Sequence, residues 1–152
     1  MSELPPLLRD QRKADEEHLK LLAVFHFVLA SFAVLGILFL ILHYTVMSTV
    51  MSNPDMWKNQ KMPPNFDPKQ VFGMLKWFYL FMASMFVLGG MANIVSGFCI
   101  RARRGRIFSL IIAGVNCFMV PFGTALGIFT FVVLLRDSVR EVYQASTSNV
   151  EA

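Results

Sequence analysis

The run IFSLIIAGVNCFMVPFGTALGIFTFVVLL, Ile107 to Leu135, carries no charge over 29 residues and is interrupted at its centre by Pro121-Phe122-Gly123-Thr124. A stretch this apolar reads as membrane, and its length restricts how it can cross. As one helix it would be about 43 Å long, against a hydrocarbon core of roughly 30 Å. Either Pro121 kinks one long tilted helix, or the chain turns at Pro121 to Thr124 and returns as a hairpin of two short helices. The two solutions put the C-terminus on opposite sides of the bilayer.

Composition supports the same class. The chain is 55% hydrophobic and only 16% charged over 152 residues, too apolar for a water-soluble domain of this size. An all-α integral membrane protein is expected, with a single membrane domain over 1–152. The formal charge of +4 does not imply nucleic acid, because the basic residues flank apolar spans and form no patch interleaved with stacking aromatics. Cys99 and Cys117 both fall in apolar segments without ligand spacing, so packing is their expected role. The first span is too long for a signal-peptide core and is expected to be an uncleaved anchor, with no lipidation motif near either end.

Taken in order, residues 1–20 form a polar segment expected to be cytoplasmic. Pro6 suits a first helical turn, and Glu16 with Lys20 makes a favourable i, i+4 pair. With no Gly or Pro to stop it, this helix should run directly into the first span, 21–47. Residues 48–74, with four prolines, are expected to be an extracytoplasmic loop. Met56, Trp57, Met62, Phe66 and Phe72 would let it rest on the membrane or pack over the helices. The second span, 75–100, opens on Lys76-Trp77-Phe78-Tyr79, the composition of an interfacial belt. Its second half repeats Gly89, Asn93 and Gly97 every fourth residue, beside Ala92 and Ser96, a small and polar face suited to close helix packing. Arg101, Arg103, Arg104 and Arg106 crowd into the connection 101–106, which should be cytoplasmic. Spans 107–120 and 122–136 would form the hairpin, the second carrying the GxxxG pattern Gly123 to Gly127. The tail 137–152 is expected on the cytoplasmic side, its last residues disordered.

Charge placement favours the hairpin. Four spans put ten Lys and Arg inside and four outside, whereas a single kinked third span gives eight against six. The spans 107–120 and 122–135 are then only about 21 Å long. Arginine snorkelling, extension of the last helix through Asp137 to Tyr143, or a turn held below the far surface would make up the deficit.

The run Val120-Pro-Phe-Gly-Thr-Ala-Leu-Gly-Ile-Phe-Thr-Phe-Val-Val-Leu-Leu-Arg136, after an arginine-rich loop and an apolar helix, resembles a signature (PFGTxLGxFTxxVLLR) of small uncharacterised bacterial multi-pass integral membrane proteins. The segment DEEHLKLLAVFHFVLA resembles the start of their first span. The resemblance implies a compact helical protein of the bacterial inner membrane, both termini cytoplasmic, and carries over no catalytic residue, substrate or cofactor.

A few polar and sulfur-bearing residues in or beside the spans could carry chemistry, although ordinary packing accounts for each. His26 is the one strongly polar side chain deep in the first span, but His18 and His43 lie roughly 12 and 25 Å away along a helix, so no second histidine joins it on a haem or metal within one chain. His43, Met47 and Met51 stand at i, i+4, i+8, a face that would suit Cu(I), although methionine is common apolar filler. Ser31, Ser84, Asn93, Ser96, Asn116, Thr124 and Thr130 could line a polar path, and the break at Pro121 resembles those of transporter helices. No Asp, Glu, Lys or Arg lies deep in a span to couple ions. Asp55, Asp67 and Asp137 lack the partners an active site needs, so no enzyme is expected. The arginine loop could meet anionic headgroups, but positive-inside topology already explains it.

The expectation is therefore a non-catalytic structural or accessory component of a membrane assembly, with no cofactor and no metal. It would bind lipids and a membrane-protein partner or a second copy through Gly89, Asn93, Gly97, Gly123 and Gly127. A small oligomeric channel or transporter is the alternative, and haem or copper binding a further one.

Overall fold

A computed structural model describes residues 6–58 and 67–151, and side chains over 10–58, 67 and 69–144. Among the described residues the chain is helical without strands: α1 (Pro6–Ser52), α2 (Pro68–Arg101), α3 (Arg106–Asn116), α4 (Phe122–Leu134) and α5 (Asp137–Glu151), with a 3-10 turn at Pro54–Met56. Two helices, α1 and α2, are long and apolar enough to cross a membrane.

The polar N-terminal segment and the first span are one helix of 47 residues, about 70 Å long. It continues past the expected end at 47 because no Gly or Pro between Met47 and Pro54 breaks the ladder, and the Thr45 and Thr49 hydroxyls are satisfied within the helix by donating to the carbonyls of Ile41 and Thr45. Asn53 then leaves helical geometry, as the residue before Pro54 must, and its side chain accepts from the Asp55 N–H. The Trp57 indole folds back to donate to the Val50 carbonyl, serving one of the open acceptors at the helix end. At the other side of the connection Asp67 accepts from the Lys69 N–H, and α2 begins at Pro68, where a missing N–H costs nothing. The expected loop 48–74 is thus shorter at both ends. Met62 and Phe66 lie outside the described residues.

The described chain falls into two compact units, residues 32–90 and residues 1–31 with 91–152. In the first, α1 and α2 pair antiparallel. The half-buried positions of α1 there, Ala33, Gly36, Ile37, Leu40, His43, Tyr44 and Met47, recur at intervals of three and four, the seam of two helices packed side by side. Phe86 lies in the hollow over Gly36, where a Cβ would stand 2.6 Å from its ring.

The second unit has a core to which the start of α1, the end of α2, α4 and α5 contribute Leu19, Leu22, Ile100, Leu126, Val133, Leu134, Val139 and Tyr143. The end of α2 turns through a Schellman closure, with the Arg104 N–H on the Cys99 carbonyl and the Arg103 N–H on that of Ile100. Arg103 occupies the left-handed position, φ 54°, that glycine usually takes, and Gly105 follows at φ 64°. Two left-handed residues so close together reverse the chain within the 102–105 connection.

The apolar run 107–135 is broken into α3 and α4, which lie antiparallel, with a cis Val120–Pro121 peptide between them. α3 ends at Asn116, short of the expected 120. The turn is internally bonded: the N–H groups of Cys117, Phe118 and Met119 reach the carbonyls of Ala113, Val115 and Asn116, and the Thr124 hydroxyl donates to the Cys117 carbonyl. The last helix does not extend straight through Asp137 to Tyr143 as expected. The chain bends by 73° after Leu134, and α5 starts a new direction. The tail expected to be disordered is helical to Glu151. α5 is amphipathic, and Val139, Val142 and Tyr143, at i, i+3 and i+4, supply its buried face.

Candidate functional site

Both units turn large apolar side chains outward. Phe39, Leu42, Trp77, Phe118, Val120 and Ile107 are among the most exposed, whereas Asp15, His26, Asn93, Ser96, Ser109, Asn116 and Thr130 are buried. With the apolar core these side chains make the helices apolar outside as well as inside, which a protein folded in water avoids over so large a surface.

In the second unit the buried polar residues come from four helices. Asn93 on α2 and Asn116 on α3 exchange amide hydrogen bonds of 3.1 and 2.8 Å. One layer nearer the arginine connection, His26 on α1 donates from Nδ1 to the Leu22 carbonyl at 3.0 Å. That bond fixes the ring, and the buried Nε2 has no partner among the described residues. Ser96 and Ser109 are likewise fully buried, and among the described residues their hydroxyls have no partner. Thr130 bonds the Leu126 carbonyl of its own helix.

The small-residue face divides. A Cβ on Gly97 would meet the Phe27 ring at 2.9 Å and the Ala23 carbonyl at 3.3 Å. One on Gly123 would strike the Asn116 carbonyl, and one on Gly127 the Cys117 Sγ and the Ala113 carbonyl. Gly97, Gly123 and Gly127 thus serve close helix packing within the chain, as their small-residue spacing led one to expect of a packing face. A Cβ on Gly89 would meet nothing within 4 Å.

The four loop arginines divide into two with partners and two that face outward. Arg103 pairs with Glu16 at 3.0 Å, and Arg106 Nε donates to the Leu134 carbonyl at 2.7 Å, capping α4. Arg101 and Arg104 are exposed. Sequence reasoning missed the densest ionic site. Asp15, its side chain 3% exposed, accepts from Arg136 at 3.1 Å and from the Ser138 hydroxyl at 2.6 Å. Burial of the Tyr143 phenol on α5 pushes its pKa up to about 12; Cys99 adds to the rise, and Arg106 and Arg103 oppose it.

For the metal alternatives, His43 shares a 2.6 Å hydrogen bond with the Tyr79 hydroxyl, with Phe39 and Tyr79 packed around its ring. Nδ1 is thus engaged, and no group of three His, Cys, Asp or Glu that could hold a metal ion occurs among the described residues. No family model, curated protein or solved structure matches the chain.

Proposed function

We propose that the protein is a non-catalytic helical component of a membrane assembly, and that it resides in the bacterial inner membrane with both termini in the cytoplasm. One observation carries this reading: large apolar side chains cover the outside of the helices, while the Asn93–Asn116 pair is closed inside. A surface of that kind is at home among lipid tails and the helices of other membrane proteins.

In this reading α1 and α2 span the bilayer. α3 and α4, about 16 and 20 Å long, are each too short to do so and enter together from the cytoplasmic side as a re-entrant hairpin. The tip supports this, being apolar outside, with Phe118 89% exposed, and bonded to itself inside. α5 then lies outside the membrane, turned away at the 73° bend.

The test is purification from native membranes in a mild detergent, followed by mass determination of the intact particle. A stoichiometric second protein supports the accessory role; a homogeneous assembly of this chain alone removes it. The channel alternative draws on the unpartnered His26 Nε2 and the Ser96 and Ser109 hydroxyls, which could serve a hydrated path in an oligomer. Solute flux through proteoliposomes would put it first.

A further inference from the structure

A groove of about 410 Å³ runs along the N-terminal half of α1 beside the end of α2. One end is charged, with Lys20, Arg101 and Arg103, and with Glu16 as its one acidic member. Glu16 is taken by Arg103. Lys20 and Arg101 are exposed and form no ion pair among the described residues, so the charged end carries an excess of two positive charges. The other end is apolar, walled by Leu19, Ala23, Val24, Phe27 and Ile100. From Glu16 to Phe27 the wall is about 16 Å long. It passes from polar to apolar where the sequence itself does, at Lys20–Leu21 on α1 and Ile100–Arg101 on α2.

Cations over an apolar trough complement one class of molecule in its entirety. A free phosphate would use the charged end and leave Val24 and Phe27 idle; a zwitterionic lipid would gain nothing from the second cation. We propose that this groove binds one anionic phospholipid. Its phosphodiester is held by Lys20 and Arg101, and one acyl chain lies along Ala23, Val24 and Phe27. The Arg103–Glu16 pair, on the Schellman turn, holds the arginine connection in place beside the headgroup. The proposal rests on the membrane reading above.

The full chain, extracted from membranes into a neutral detergent, is titrated with phosphatidylglycerol and separately with phosphatidylcholine, and the bound lipid is counted by native mass spectrometry. One phosphatidylglycerol should bind about tenfold more tightly than phosphatidylcholine. Lys20→Gln with Arg101→Gln should abolish that preference, whereas Arg104→Gln with Arg140→Gln, an equal loss of charge at exposed sites outside the groove, should leave it intact. Val24→Trp, at an exposed position on the wall of the trough, should lower affinity for both lipids, and millimolar glycerol phosphate should not compete. Equal affinity for the two lipids, an equal effect of the two double variants, or displacement by glycerol phosphate would each overturn the proposal. Unchanged thermal melting of both double variants shows that binding, not folding, is read. A chain absent from the membrane fraction sinks the membrane reading as well; a membrane-bound chain without lipid preference sinks this inference alone.

Discussion

Asn93 and Asn116 bond each other twice, amide to amide, across α2 and α3 in an otherwise apolar layer. Replacing either by alanine leaves a buried amide without this mate and should cost about 1–2 kcal/mol of stability in detergent. Asn93→Leu with Asn116→Leu should be less damaging than the sum of the two alanine variants. A double-mutant cycle by reversible unfolding in detergent reads the coupling; additive losses would show that the pair contributes nothing of its own.

Two glycines 38 residues apart should respond in opposite ways. Gly127→Leu drives a side chain into the Ala113 carbonyl and Cys117 and should separate α3 from α4, at about 3 kcal/mol or more, above ordinary overpacking because backbone is in the way. Gly89→Leu, where a Cβ has open space, should leave the melting temperature of the isolated chain within a few degrees and should change only assembly size. Equal destabilisation by both would contradict this use of the two positions.

Asp15→Asn keeps an acceptor for Ser138 but removes the charge that Arg136 faces, and Asp15→Ala removes both. Expected losses are about 1 and about 3 kcal/mol, the first kept small because Arg136 is 41% exposed and screened by solvent. The Lys58–Asp55 pair, exposed on both sides, should be silent when Asp55 is changed to alanine. Chemical unfolding in detergent compares the three variants.

The Tyr143 phenol gives a pH dependence of definite sign. Its folded pKa, about 12, lies above the value near 10 of an unfolded chain, so the unfolded state releases the proton first. The stabilising contribution is complete below pH 10 and is lost as pH rises from 10 towards 12. Wild type minus Tyr143→Phe, followed by equilibrium unfolding, should be flat up to about pH 9.5 and fall above it. A difference that stays flat would mean that the phenol is not buried, and one that rises would mean that the fold favours the phenolate.

The placement of the hairpin tip is accessible to labelling. In a chain with both native cysteines changed to alanine, Phe118→Cys should resist a membrane-impermeant maleimide from either side of sealed vesicles. Cysteines added at the two ends should react from the cytoplasmic side only. Labelling of residue 118 from outside would mean that the hairpin crosses fully.

Much of the architecture was legible in the sequence because apolar length and prolines act locally. Pro54 and Pro68 bound the long helices, and the apolar run with Pro121 at its centre contains the break between α3 and α4. The closeness of Gly97 to α1 follows from the same local rule, since small residues at fourfold spacing allow backbones to approach. The spacing could not tell which glycines were already filled, because Gly89 and Gly97 differ only in what stands opposite. Nor did charge pattern reveal Asp15, Arg136 and Ser138, which are more than 120 positions apart and look, residue by residue, like helix-end polarity. The one local hint was that Arg136 and Asp137 interrupt an apolar run where α4 would otherwise continue.

The same separation sets an order of events during synthesis. Asp15 is made 121 and 123 residues before Arg136 and Ser138, so a carboxylate destined for burial waits while the helices between them are synthesised. The bond between Asp15 and Ser138 can exist only in a chain that has been translated through the bend after Leu134.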